Sequence, residues 1–149
     1  MTARLLGAAL GFALALPAAP RAVELDPAAV VYRLPKDIEW RESPSGASSV
    51  VLHGNPSQPG LYIMLVRWAP NKMSRPHSHL NDRFITVLSG TWWVGTGGEF
   101  DPERTVPMSA GSYVTHFGNQ VHYDGAKSEE AVVQIVGIGP ATSTPFGPR

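Results

Sequence analysis

A chain of 149 residues is long enough for one domain with its own core and hardly long enough for two. Its formal net charge is zero and only 16% of its residues are charged, so no basic excess marks a nucleic-acid binder. No cysteine is present, which excludes disulfides, thiolate nucleophiles and sulfur-rich zinc sites, and the 15 glycines and 14 prolines suit short strands and tight turns better than a helical bundle.

The first elements in chain order are those of an export signal. Arg4 precedes an apolar run over residues 5–16, followed by Pro17 and small residues. The run is short of the ~20 apolar residues a spanning helix needs and has the layout of a secretory signal peptide. Residues 1–22 are therefore expected to be a cleaved signal, with the cut after Ala18, Ala19 or Ala22. An uncleaved anchor or a retained N-terminal helix is the alternative. The mature chain is expected in the periplasm of a bacterium or outside the cell, with no membrane attachment after cleavage.

Beyond the signal the pattern is of strands. AVVYRLPKDIEW reads as a lead-in strand and turn, ESPSGAS as a loop, and SVVLHG as a short strand closed by NPSQPG. LYIMLVRWAP is a continuous apolar strand, and NKMSRP is a loop delivering the chain to His77. RFITVLSG and TWWVGTG form two strands about Gly90, and TVPMSAGSYVTHF two more about Ala110 and Gly111. VHYDGA and AVVQIVGIG are the last strands, and the tail PATSTPFGPR is expected to lie loosely on the surface. No helical period persists past residue 25. The expectation is an all-β domain of about 8 to 10 short strands, a sandwich or a barrel.

Five histidines punctuate this pattern. His53 sits beside a turn and is expected to be structural. His77 and His79 are two residues apart in an extended segment, so their rings project to one face. His122 lies downstream in another strand, and three imidazoles brought together by a barrel would make a good seat for a first-row divalent metal. His116 shares sequence parity with His122, but the turn at Gly118 and Asn119 separates them, leaving it a proton shuttle, a group behind the ligands or an outer residue.

These residues resemble the cupin superfamily. Its first motif has a glycine, His-x-His, a glutamate four or five positions on, and a glycine seven positions after that. Its second has a Pro-x-Gly turn and then a histidine. His77, His79 and Gly90 fall on the first motif and His122 on the second, and the likeness runs over about residues 61–139. Asn71 replaces the opening glycine, and FGNQVH replaces the Pro-x-Gly turn with Asn119 at its glycine position, where asparagine tolerates left-handed angles. The resemblance implies a double-stranded β-helix (jelly-roll barrel) occupying residues 23–149, with a core over about 50–139. It also implies one divalent metal (Fe, Mn, Ni, Zn or Cu) on His77, His79 and His122, and a possible homodimer.

The larger departure is Arg83, which counts onto the glutamate ligand. Asp82 is adjacent, but a one-residue shift along a strand reverses side-chain direction. Arginine stays protonated and does not ligate, so beside a metal it calls for an anion between them, held in a two-point fork. Arg67, Lys72 and Arg75 cluster nearby in sequence. Otherwise Arg83 pairs structurally with Asp82, Glu99 or Asp124 at the rim, or the site has become a metal-free pocket. Trp92 and Trp93 are consecutive in a strand, so one faces the interior; Trp93 is expected to contact substrate, with Arg83 and His116. The function expected is a metal-dependent enzyme, oxygenase-like or isomerase- or lyase-like, acting on a small anionic molecule. The alternative is a non-catalytic periplasmic binding or sensing module using the same pocket.

Overall fold

The computed structural model describes residues 23–147; the expected signal segment lies outside them. Residues 23–33 belong to a unit of their own, which turns at Asp26, whose carbonyl accepts from the amides of Ala29 and Val30. The lead-in strand expected after it does not form. Residues 30–34 are irregular, and the next element is one 3-10 turn at Pro35–Asp37, where proline presets the backbone angle and offers no N–H to a ladder.

The second unit carries twelve strands and, among the described residues, no α-helix. In chain order they are β1 (Arg41–Glu42), β2 (Ala47–His53), β3 (Gly60–Trp68), β4 (Lys72–Met73), β5 (His77–Ser78) and β6 (Arg83–Ser89). Then follow β7 (Thr91–Thr96), β8 (Val106–Ser109), β9 (Tyr113–His116), β10 (His122–Ala126), β11 (Ala131–Gly139) and β12 (Thr144–Pro145). One sheet has the order β1-β2-β3-β11-β6-β9 and the other β12-β5-β10-β7-β8, with β4 paired to β10; all pairs are antiparallel. This is the double-stranded β-helix that the histidine motifs imply.

Several joints between the sheets were readable as turns but not as sheet changes. β6 and β7 flank Gly90 and belong to opposite sheets. Gly90 has φ +68°, and a Cβ there would collide with the carbonyl oxygen of Glu130, so the crossing needs glycine both for its angle and for its space. Asn71 and Asn119 each adopt φ +60°, which is how asparagine serves at two positions where the motifs use glycine.

Alternation then decides what fills the interior. Ile85 and Val87 of β6, Ala131 and Val133 of β11, Tyr62 and Trp68 of β3, and Trp92 and Val94 of β7 form one buried cluster. Cross-strand pairing sets Tyr62, Gly137, Arg83 and His116 in a single row across β3, β11, β6 and β9. The tail departs from expectation. β12 pairs with β5, and the Phe146 amide donates to the Pro76 carbonyl, so residues 141–146 close one edge of the second sheet.

Candidate metal centre

His77 opens β5, His79 follows it by one residue, and His122 opens β10, where it is the cross-strand partner of His77. The three rings form a triangle with centroid separations of 4.7, 4.6 and 5.0 Å. One donor nitrogen from each lies within 4.8 Å of the other two.

Their hydrogen bonds settle which nitrogen is free. Nδ1 of His77 lies 2.8 Å from the Arg75 carbonyl, Nδ1 of His79 lies 2.8 Å from the Thr142 carbonyl, and Nδ1 of His122 lies 3.1 Å from the Gln120 carbonyl. A carbonyl only accepts, so each Nδ1 carries the proton and each Nε2 keeps its lone pair. Metal-binding imidazoles are oriented in this way by their outer partners. His122 Nε2 is buried and has no hydrogen-bond partner within the protein, a costly arrangement for a polar atom that an ion would relieve.

Electrostatics support the same state. Burial, followed by the charge of Arg83, lowers the His79 pKa from 6.5 to about 3. Burial and His77 lower His122 to about 4. Burial and the neighbouring His122 lower His116 to about 2. At neutral pH these imidazoles are neutral and available as donors. The set fits a first-row divalent ion: three pre-oriented imidazoles whose donor nitrogens lie within 4.8 Å of one another.

Beside the triad is a cavity of about 420 Å³ whose lining includes His77, His79, Arg83, Trp92, His116 and Asp124. Arg83 therefore points inward rather than to the rim. Burial lowers its pKa from the ordinary value, while Tyr62 and Asp124 favour the charged form, Tyr62 through a side-chain hydrogen bond. Gly137 makes that bond possible: a Cβ there would come within 2.5 Å of the Tyr62 hydroxyl, which lies over this position on its way to Arg83. Asp82, the alternative carboxylate, is occupied elsewhere; its Oδ1 accepts from the Gly118 amide at 2.7 Å. Together with the Asn119 amide donating to the His79 carbonyl at 2.6 Å, it pins the turn before β10 onto the chain just after β5.

Trp92, 2% exposed, lines the cavity and stacks at a tilt on His116, with centroids 5.3 Å apart. Trp93, the tryptophan expected there, points to the opposite side of β7, where the Lys127 ammonium lies 4.2 Å from its ring centroid. Register decided between two adjacent tryptophans that composition treats alike. Of the three cations near the motif, Arg75 reaches the cavity lining. Arg67 is directed away, bonded to Ser48 and Glu42 and lying over Trp40.

Two contributors were not placed among the histidines by the sequence, which offered Asp124 only as a partner for Arg83 at the rim. Asp124 is 7% exposed, and burial raises its carboxyl pKa, with His77 and Arg83 opposing. Its spacing from His122 in a strand is the one sign that could have placed it on the same face. Thr142, in the tail, fixes the tautomer of His79 from 63 residues away. No sequence pattern signals a backbone carbonyl contributed over that span.

Residues 28–142 match the family described as the ChrR cupin-like domain. No curated protein matches the chain in sequence. Among solved structures, the polyketide cyclase RemF from Streptomyces resistomycificus superposes with a TM-score of 0.66 at 16% identity, covering 80% of this chain and 88% of that one. KdgF from Halomonas sp. gives 0.58 at 17% identity, with coverage of 73% and 93%. A cupin-like protein from Thermotoga maritima gives 0.55 at 19% identity, with coverage of 68% and 76%. At these identities the likeness is one of fold.

Proposed function

Since the chain belongs to the ChrR cupin-like domain family, we propose that it is a metal-binding cupin acting as an enzyme on a small anionic molecule. In this reading His77, His79 and His122 hold one divalent first-row ion (Fe, Mn, Ni, Zn or Cu), and Arg83 grips the anion next to it. The observation that carries it is the common orientation of the triad, each Nδ1–H held by a backbone carbonyl and each Nε2 left free. When bound, the ion supplies a Lewis-acid centre or a seat for redox chemistry. Arg83 supplies the charge that draws a carboxylate, phosphate or sulfonate into the cavity. Ile85, Val133 and Trp92 line its apolar wall, so the ligand pairs one anionic group with an apolar body. An enzyme is favoured over a binding module because several buried, strongly shifted ionisable groups converge on one concave site.

Elemental analysis of the purified protein is expected to find about one transition metal per chain, lost in the His77→Ala, His122→Ala double variant. A wild-type protein that takes up no metal under loading overturns the reading. Turnover of small carboxylates or thiols by the loaded protein separates the enzyme from the sensing module, which would bind and release its ligand unchanged. The N-terminal apolar segment supports a periplasmic or secreted location. Sequencing the N-terminus of the mature chain tests it, and an intact Met1 in the exported fraction would contradict cleavage.

A further inference from the structure

His116 and Asp124 are unexplained by the three-histidine face. His116 ends β9 in the first sheet and is 7% exposed, yet its Nε2 is buried with no hydrogen-bond partner. Its ring is 3.8 Å from that of His122, centroid to centroid. Asp124 stands two residues after His122 on β10, its Oδ2 4.0 Å from His122 Nε2. Donor atoms of His116, His122 and Asp124 all lie within 4.8 Å of one another. Among the described residues, Asp124 is also the single carboxylate lining the cavity.

We propose that His116, His122 and Asp124 form a second, carboxylate-containing seat for the ion, overlapping the three-histidine face at His122. His122 Nε2 has one lone pair, so the two sets serve one ion in two positions rather than two ions at once. The inference rests on the metal reading above and adds to it a donor set that the histidine motifs do not contain. Its physical basis is charge. A dication on three neutral imidazoles beside the Arg83 guanidinium has no compensating anion on β6, where arginine occupies the carboxylate position. Asp124 provides that anion from β10, next to the same Arg83. Hard carboxylate oxygen combined with two imidazoles suits the same first-row divalent ions. The ligand anion then acts on the ion's position. Entering beside Arg83, it replaces the charge compensation of Asp124 and favours the seat on His77, His79 and His122.

Titration of the purified full-length chain with Co(II) alone, followed by visible absorption, tests this. Removing the outer donors in His77→Ala, His79→Ala is expected to leave one Co(II) per chain, bound about 10–100-fold more weakly and with an altered spectrum. Adding Asp124→Asn to that variant abolishes the remaining binding. Asp124→Asn alone, which preserves side-chain shape, is expected to weaken Co(II) by about tenfold and change its spectrum, even if the double variant fails to fold. Wild-type binding with an Asp124→Asn protein of unchanged affinity and spectrum overturns the second seat and leaves the three-histidine site standing. A wild-type chain that binds no Co(II) overturns both.

Discussion

The two sheets divide the work unequally. In the first, β3 and β11 pair along nine residues each, and β6 continues the ladder on the far side. It supplies most of the apolar interior, together with Arg83 and His116. The second sheet is built of pieces: β5 and β12 have two residues each and β10 has five. It carries His77, His122 and Asp124, with His79 one residue beyond β5. Broken strands suit a metal centre for a simple reason. Arg75, Gln120 and Thr142, whose carbonyls orient the three imidazoles, all lie outside strands. In an unbroken ladder those carbonyls would be committed to neighbouring N–H groups. Continuity provides rigidity, and interruption frees the acceptors that aim the three imidazoles.

The sharpest break of this comparison is at the wall the two sheets share. Trp92→Ala removes a nearly fully buried side chain and is expected to cost about 3–5 kcal/mol in denaturant unfolding. A loss under about 1 kcal/mol would mean that the sheets do not depend on each other's packing there.

Acid acts next, on ionisable groups that both sheets direct into the site. His79, His116 and His122 have folded pKa values lowered to about 3, 2 and 4, against 6.5 when unfolded. The unfolded chain therefore takes up protons that the native one refuses, and the stability of the metal-free protein falls as pH drops below 6.5. Each histidine contributes up to about 1.4 kcal/mol per pH unit. Asp124 acts in the opposite sense: its raised pKa means the native carboxyl holds a proton that the unfolded one has released, stabilising the fold at acid pH. Three groups against one give a net loss on acidification. Thermal unfolding of apo protein across this range checks it; a flat profile would mean that the histidines are solvated.

Removing the tail tests the free-acceptor idea. A chain ending at Gly139 lacks the Thr142 carbonyl and β12, while the long ladder of the first sheet remains whole. Metal affinity is expected to fall about 10–100-fold, as for other losses of a ligand's outer partner. Unchanged affinity would show that His79 needs no carbonyl to orient it. The smallest effect is at Arg83. Arg83→Gln is expected to weaken binding of a small carboxylate by about tenfold, near 1.4 kcal/mol, and to tighten the metal. Calorimetry reads both; no change in either would confine Arg83 to its bond with Tyr62 and its place beside Asp124.

Local patterns were legible where the physics is local. Alternation and turn residues marked most strands, with AVVQIVGIG coinciding with β11. Asparagine at 119 marked a turn that accepts left-handed angles, and the structure shows the same angle at Asn71, which the sequence marked only as standing in for a glycine. His-x-His placed two rings on one face because a strand repeats every two residues, and the two motifs together indicated that His122 would join them. Arg83 could be placed on the ligand position by counting along the chain. What counting left open was its direction, inward or to the rim.

Those remaining questions depended on neighbours distant in sequence. Whether Trp92 or Trp93 faces inward follows from the register of β7 against β10 and β8, since a shift of one residue exchanges them. That Arg83 is directed inward follows from the row it shares with Tyr62, Gly137 and His116. That the tail pairs with the second sheet, and that one of its carbonyls orients the His79 imidazole, follows from β12 pairing with β5. The sequence by itself determined an all-β domain, its turns and a three-histidine face. Only the tertiary structure decided which side chains face the candidate site, because that choice is made by register and by backbone atoms that carry no residue identity.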